Sequence, residues 1–474
     1  MSKRLTLSLA AAGLLAGCSL APTYHRPEAP VANAYPTPTA ESAANAANAA
    51  SIGWREFFPD KRLQALIETA LANNRDLRIA ALRIEEARAQ YNIQSADLLP
   101  TLNATAGGSR ARTPANLSPT GRATVGSSYQ VGLGITSFEL DFFGRVRSLN
   151  DAALAQYLAS EEAAQAARIS LIAEVAKAYL AERAFAEQYE LARKTLESRD
   201  TAYKLAKQRF DVGASSALDL RQNEVLVQTA RASLATLTRQ RAQATNALTL
   251  LVGKPLAGGL PPEQSLDAQN IVTDIPAGLP SDLLARRPDI RAAEQRLKAS
   301  NANIGAARAA FFPRISLTAG IGTASNALDG LFDAGSRTWS FAPQLLLPIF
   351  DAGRNSAGLS LAEVRNNMAV ADYEKSIQTA FREVADTLAA RATLEDQVAA
   401  QRAVLDADAD RLKLAEQRYQ NGIASSLDVL DAQRELFSAE QSLVQARLLR
   451  LTNAIDLYRA LGGGISDAGP QASR

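Results

Sequence analysis

Hydrophobic positions along this chain follow two rhythms, and the pair of rhythms occurs twice. Leu63, Leu66, Ile67 and Leu71 share one face of a helix predicted from about 63 to 97. Asn73-Asn74 predicts a break in it, Asp76 a restart, and Pro100 a stop, because proline pushes the preceding residue out of the α region. The rhythm then changes to a period of two. Tyr129, Val131, Leu133 and Ile135 alternate with Gln130, Gly132, Gly134 and Thr136, which predicts strands at 101–109 and 128–141 with a loop over 107–127. Residues 146–211 follow without proline or glycine. Phe185, Tyr189, Ala192, Leu196 and Tyr203 recur there at coiled-coil spacing, on a helix about 100 Å long. A return helix covers about 216–252.

The second half repeats the scheme. Ile315, Leu317, Ala319 and Ile321 alternate with Ser316, Thr318, Gly320 and Gly322. A fourth strand opens at Trp339 and Phe341 and is predicted to end near Phe350, with a loop at 324–337. Long helices at 355–420 and 425–461 close the unit around Gly422, and the first unit has the same turn around Gly213. Glycine takes the left-handed conformation that stops a helix. Ser425 followed by Asp428 forms a capping-box start for the next one. Gly213/Gly422, Gly144/Gly353 and Gly253/Gly462 are each 209 residues apart, whereas Arg78/Arg291 and Pro100/Pro313 are 213 apart. The four-residue difference therefore arises within the strand pair, and an exposed loop is the expected place for it. The chain is predicted to be mainly α with a small β part, built as two homologous halves. Residues 51–253 form the first repeat (strand pair 101–141, long hairpin 146–252). Residues 254–282 are a Pro/Gly-rich linker. Residues 283–462 form the second repeat (strand pair 314–350, long hairpin 355–461), and 463–474 are a flexible tail.

The N-terminus adds an address. Lys3-Arg4 and the short apolar stretch 5–15 read as a signal peptide covering 1–17, too short to span a bilayer. Leu15-Ala16-Gly17-Cys18 has the form of a lipoprotein processing site, which makes Cys18 a lipidation site; an ordinary signal peptide with an incidental cysteine is the alternative. Residues 18–50 are rich in Pro, Ala, Asn and Thr and read as an extended tether. Alternation alone also suits a half-buried soluble sheet. The lipoprotein signal and the flanking Phe138, Phe142, Phe143 and Phe350 favour strands in a membrane. Four strands cannot close a barrel, and an open edge in lipid leaves backbone groups unpaired. Three chains would supply twelve strands and two would supply eight.

Composition narrows the chemistry. The 474 residues hold one Cys and one His, with 51 Lys+Arg against 49 Asp+Glu. The near-neutral balance gives no reason to expect nucleic acid. The single histidine, His25, lies in the tether, so no Ser-His-Asp triad or His-ligated zinc can be built in the body. No Walker A sequence is present, and Gly132-x-Gly134 lies in a strand rather than before a helix. No enzyme activity and no cofactor are expected. Arg110, Arg112 and Arg122 fall in the predicted first loop, where solvation is the simpler reading than contact with lipopolysaccharide phosphates.

The chain resembles TolC-family outer-membrane factors, in particular the lipidated OprM-like branch. Carrying the resemblance are Gly17-Cys18-Ser19-Leu20, Ile52-Gly53-Trp54-Arg55-Glu56-Phe57-Phe58, Glu139-Leu140-Asp141 with Gly144-Arg145, Arg286-Arg287-Pro288-Asp289-Ile290, Gly305 through Pro313, and Leu430-Asp431-Ala432-Gln433-Arg434. The resemblance implies a homotrimer with a shared outer-membrane β-barrel of four strands per chain, continued by a periplasmic α-barrel. It also implies docking to a periplasmic adaptor (membrane fusion protein) and an inner-membrane resistance–nodulation–division pump for drug efflux. A type I protein-secretion duct and a lipid-anchored periplasmic scaffold are the alternatives. The family's periplasmic gate places an apolar ring and acidic residues at positions matching Leu427, Asp428 and Asp431; under trimeric symmetry each would appear three times around the axis. Helix-dipole complementation is the competing role for Asp428 and the preferred one for Asp219. Tyr419 matches a tyrosine that ties neighbouring tips together, and Gly422 and Gly213 mark those tips. The arginine that the family uses nearby is Ala424 here.

Overall fold

The computed structural model describes residues 19–36, 52–119, 121–256, 258–273 and 280–464. The signal peptide, Cys18, residues 37–50 of the tether and the tail beyond Gly464 lie outside the described residues. In chain order the elements are α1 (Trp54–Phe57), α2 (Lys61–Asn73), α3 (Arg75–Ala96), β1 (Leu102–Thr113), β2 (Thr124–Glu139), α4 (Arg145–Asp211) and α5 (Ala217–Val252). A 3-10 turn (Leu266–Ala268) follows, then α6 (Pro280–Arg286), α7 (Pro288–Ala309), β3 (Arg314–Ser325), β4 (Arg337–Leu346), α8 (Arg354–Gln420) and α9 (Ser426–Ala460). The chain divides into two compact units. No helix among the described residues is long and apolar enough to cross a membrane.

One unit comprises residues 1–28, 83–161 and 292–374 and contains the sheet. The four strands are antiparallel in the order β1-β2-β3-β4. Residues directly opposite one another in such a sheet share a face. The register Leu102↔Ile135, Ile135↔Ala319 and Ala319↔Phe341 starts one apolar row; Leu133, Ile321 and Trp339 form the next. This face is uncovered within one chain, with Trp339 79% and Ile321 67% exposed. On the opposite face Gly132 pairs with Gly322 and Gly134 with Gly320. A Cβ at Gly322 would lie 2.3 Å from the Val131 carbonyl oxygen, so only glycine permits this approach. The register shifts between Ile135 and Phe138, where Ser137 takes φ 54°. Ile135 and Phe138 are three apart, an odd spacing, and the bulge returns Phe138 to the apolar face opposite Leu317.

Three expectations are corrected here. The first hairpin is longer than predicted: β1 runs to Thr113 and β2 starts at Thr124, so Arg110 and Arg112 belong to a strand and only Arg122 lies in the turn. The four-residue offset between the halves comes mainly from strand length rather than from the hairpin turn: β2 has 16 residues and β4 has 10, and the stretch from β4 to Gly353 is two residues longer than that from β2 to Gly144. The fourth strand ends at Leu346 rather than near Phe350, because Pro348 cannot donate to the ladder.

At the helical end of the sheet, Glu139 accepts from Arg145 (2.8 Å) and Arg314 (2.6 Å), while Phe143 stacks on Phe312. Ala152, Ala155 and Ala299 form a small-residue seam between α4 and α7. The described start of the tether lies along α7. Arg26 makes a two-pronged bond to Glu294 (3.0 and 2.8 Å), Asn301 donates to the Pro22 carbonyl (2.8 Å), and Arg308 to that of Leu20 (3.4 Å). Gly305 allows this approach: a Cβ there would meet Ala21 Cα at 2.8 Å.

The other unit comprises residues 29–82, 162–291 and 375–474. Its core holds an aromatic clamp, with Trp54, Phe57 and Phe58 fully buried. Phe57 stacks flat on Tyr458 at 4.0 Å. Buried Asp60 caps α2 through Arg62 N and Leu63 N and also accepts from Tyr179 Oη and Gln269 Nε2, each at 2.8 Å. The 254–282 stretch is therefore more than a linker: Leu266 and Ile271 are buried, and Glu263 pairs with Arg62 and Arg183. The helix restart after the break comes from Asn74, not Asp76, since the Asn74 side chain accepts from Leu77 N (2.9 Å) and α3 opens at Arg75. In the coiled-coil series, Ala192 is buried while Phe185, Tyr189, Leu196 and Tyr203 are half-buried.

The duplication is visible in contacts. Asn74 donates to the Leu251 carbonyl (2.9 Å), and Arg287, its counterpart 213 residues on, donates to that of Ala460 (3.1 Å), the counterpart of Leu251 209 residues on. Gly253 (φ 79°) caps α5 against Asn73, and a Cβ there would lie 2.4 Å from the Asn73 carbonyl oxygen. Gly213 has a similar φ of 73° but open space around it. Gly253→Ala is accordingly expected to lower thermal stability well beyond the roughly 1–2 kcal/mol of a left-handed alanine, whereas Gly213→Ala should cost about that amount alone. Unfolding midpoints of the two variants, measured side by side, check this.

Candidate functional site

The two helical tips are built alike because their sequences are alike. In the first, Gly213 N donates to the Phe210 carbonyl (2.9 Å) and Ala214 N to that of Arg209 (2.7 Å). In the second, Gly422 N donates to the Tyr419 carbonyl (3.0 Å) and Ile423 N to that of Arg418 (2.8 Å). Both glycines have positive φ, 73° and 71°. Neither would meet an atom within 4 Å through an added Cβ, so within one chain each shapes its turn through the backbone and not by contact.

The return helices start with matching caps. Asp219 accepts from Ser216 N (3.3 Å) and Ser216 Oγ (2.8 Å), and Asp428 from Ser425 N (2.9 Å) and Ser425 Oγ (3.0 Å). Asp428 thus serves its own helix in a single chain. Leu427 beside it is 48% exposed, whereas Leu430 and Ala432 are buried. Asp431, one turn in, is bonded by Arg434 on the same helix. The structure therefore presents an exposed leucine next to two carboxylates, one held by a cap and the other by an arginine.

Two bonds join the tips. Ser426 Oγ donates to Asp219 Oδ1 at 2.9 Å, and Arg209 Nη1 donates to Tyr419 Oη at 3.1 Å. Asp219 thus has a second role beyond the helix dipole: it is a bridge between the repeats. Its carboxyl is held below the ordinary range by the Ser216 hydroxyl, then by that of Ser426. Tyr419 finds its partner in Arg209, on the opposite tip, where Ala424 offers no side-chain donor. Sequence reasoning missed Arg209, Ser426 and Arg434. Arg434 stands three residues from Asp431, a spacing that signals a helical pair. The cross-tip bonds carry no such signal, since the duplication aligns the tips without saying how they touch.

Further along the hairpins lies buried Arg199. It donates to the Leu226 carbonyl (3.3 Å), sits 5.4 Å from the Phe437 ring centre, and has no acidic partner among the described residues. Burial, then the nearby Arg434, pulls its pKa down. It lines a cavity of about 230 Å³ with Lys194, Glu416, Gln433 and Glu440. Burial pushes the Glu440 carboxyl up, against the opposing pull of Lys194. Among the described residues, no group of three or more His, Cys, Asp or Glu side chains could hold a metal.

The sequence profile of the outer membrane efflux proteins matches residues 66–254 and 279–463, one match per repeat. The chain belongs to the outer membrane efflux protein family. The antibiotic efflux pump outer membrane protein ArpC of Pseudomonas putida is 49% identical over 476 residues, covering 100% of this chain and 98% of that one. The outer membrane protein OprJ of Pseudomonas aeruginosa is 52% identical over 450 residues, 95% of this chain and 94% of its own. The open state of the MtrE outer membrane channel of Neisseria gonorrhoeae superposes with a TM-score of 0.86 at 44% identity, covering 94% of this chain and 98% of that chain. This efflux protein is therefore a channel component and not an enzyme, with the duplicated helix-and-strand fold expected from its sequence.

Tip stability in this efflux protein should depend on pH with a definite sign. A carboxyl depressed in the folded state stabilises above its unfolded pKa, about 3.9 for Asp, and loses that contribution as pH falls through the folded value. After correction for intrinsic exchange, amide protection around residues 214–219 and 425–428 should stay level from pH 7 to about 5 and drop below about 4. In Asp219→Ala it should be low throughout. Hydrogen exchange with mass spectrometry reads both.

Proposed function

We propose that this efflux protein is the passive, gated outer-membrane duct of a tripartite system, receiving drugs or other small toxic compounds from an inner-membrane resistance–nodulation–division pump through a periplasmic adaptor. The observation that carries the reading is the open four-stranded sheet, whose outward face is apolar and whose β1 and β4 edges lack partners within one chain. Lipid tolerates neither unpaired edge. A homotrimer joins β4 of one protomer to β1 of the next and yields twelve strands, an even number above the minimum of eight. The names of the relatives, which include efflux pump components, favour small-molecule export over protein secretion.

In this reading the periplasmic gate is formed where the second tips converge. Three copies of Leu427 narrow the aperture, and Asp428 and Asp431 surround it with carboxylates that favour cations. Tyr419, Gly422 and Gly213 shape the tips, and the bonds Ser426–Asp219 and Arg209–Tyr419 hold each pair closed. Residues 1–17 serve as the signal peptide and Cys18 carries the lipid that anchors the mature chain to the outer membrane.

The test is electrical. The unmodified protein in planar bilayers should show small, rarely open conductance as a trimer. Leu427→Ala with Asp431→Ala should raise the mean current about ten-fold or more, since an apolar constriction and a salt-bridged carboxylate are removed together. Wild-type current in the double variant, or a stable membrane-inserted monomer, would sink the gate or the shared barrel respectively.

A further inference from the structure

The extension of the first hairpin moves two arginines from a loop onto a defined face. In β1 the positions Leu102, Ala104, Ala106, Gly108, Arg110 and Arg112 share one side, since alternate residues of a strand do so. Their partners on β2 are Ile135, Leu133, Val131, Tyr129, Ser127 and Val125. The same face continues through Thr323 on β3 to Arg337 on β4, whose neighbours along the strand on that side are Trp339 and Phe341. Three arginines thus stand on the apolar face, all toward the turn end of the sheet. Tyr129 separates them from the apolar rows on the first hairpin, its ring lying over Gly108; Trp339 does so on the second.

Charge balance distinguishes these arginines. Glu139 is the only acid in the four strands, and it lies at the opposite end, already shared by Arg145 and Arg314. Asp329 and Asp333 in the β3–β4 turn are the acids nearest Arg337 along the chain and Asp97 the acid nearest Arg110 and Arg112, and none of them forms an ion pair with these arginines among the described residues. All three arginines are exposed. On a lipid-facing barrel surface an arginine is costly at the bilayer midplane and nearly free at its boundary, where the long side chain carries its guanidinium to headgroup level. Guanidinium binds phosphate through paired, charge-assisted hydrogen bonds.

We propose that Arg110, Arg112 and Arg337 form a binding rim for a multiply phosphorylated lipid headgroup in the outer leaflet, with Tyr129 and Trp339 against the upper acyl region. This rests on the sheet being a membrane barrel. Three uncompensated positive charges per chain match a polyanionic headgroup better than one bearing a single charge. The rim fixes the height of the barrel in the membrane and covers its outer boundary with bound lipid.

The full-length protein in phosphatidylcholine nanodiscs tests this. The discs are doped with bisphosphorylated lipid A, with the same lipid stripped of phosphate, or with phosphatidylglycerol, and lipid retained on the re-extracted protein is counted by mass spectrometry. Wild type should retain the bisphosphorylated lipid about ten-fold over the stripped form. Arg110→Gln with Arg112→Gln should bring that ratio near one, and Arg110→Lys with Arg112→Lys should keep part of it. Equal retention by wild type and the glutamine variant overturns the proposal. So does equal retention of phosphatidylglycerol, which would mean generic anion attraction, or displacement of the lipid by millimolar inorganic phosphate alone. Insertion is scored separately by heat-modifiable migration. Failure to insert would sink the barrel reading itself, whereas insertion without lipid preference sinks only the arginine rim.

Discussion

Backbone hydrogen bonding at the sheet edges is the constraint from which the rest follows. The four strands pair with one another in chain order, and β1 and β4 each leave one row of N–H and C=O groups open. In water such edges invite aggregation, and in lipid each unmet group costs several kcal/mol. The apolar row of Leu133, Ile321 and Trp339 is exposed in one chain, and the proposed shared barrel both faces it to lipid and pairs the open edges with those of other chains. In the proposed homotrimer, closure by identical copies sets a symmetry axis, and every exposed feature near that axis acquires copies. In that reading Leu427, exposed in one chain, becomes part of a ring.

The duplication shows how one scaffold carries two jobs. Asn74 and Arg287 occupy equivalent places and both reach a carbonyl at the end of the returning helix. Yet Arg287 also binds Asp289 and Glu383, and Asn74 has no such network. The tips diverge similarly. Each has a glycine turn and an Asp cap, but Asp219 faces across to Ser426, while Asp428 keeps to its own Ser425. Matching geometry with different side chains converts a two-fold repeat into a bonded pair.

Much of this was legible in the chain because it depends on local rules. The glycine stops, serine–aspartate caps and period-two strands each follow from residues within a few positions of one another. What was not legible depends on register. Alternation places Arg110 and Arg112 in step with Leu102, yet nothing in the sequence says whether a polar, glycine-containing stretch such as Gly107-Gly108-Ser109 continues a strand or ends it; the partner strand decides, through Ser127 and Val125. The bulge at Ser137 is equally invisible, since it appears only when Phe138 has to meet Leu317. The bonds Arg209–Tyr419 and Ser426–Asp219 depend on how two hairpins approach. A 209-residue periodicity aligns the hairpins but does not dock them.

The tips and the buried centre of the helical unit differ in the cost of breaking a bond, and that difference bears on the proposed gate. Around Asp60 and Tyr458 the bonds are buried and shared. Asp60 alone receives four donors, and Tyr458 both stacks on Phe57 and donates to the Ile52 carbonyl at 2.6 Å. Breaking one of these strands a polar group away from water, at about 1–3 kcal/mol each. At the tips, Arg209 and the backbone around Gly213 and Gly422 are exposed, and Ser426 and Asp219 are half-buried, so water reaches the broken groups and the net loss is about 0.5–1.5 kcal/mol per bond. Two such bonds per chain join a tip pair, and in the proposed gate an incoming partner needs only modest complementary contacts to exchange them. The same arithmetic makes rearrangement at the aromatic clamp the costlier route. In that reading movement is concentrated at the solvent-exposed ends of long helices, where a small change of angle at the packed end produces a large displacement at the tip.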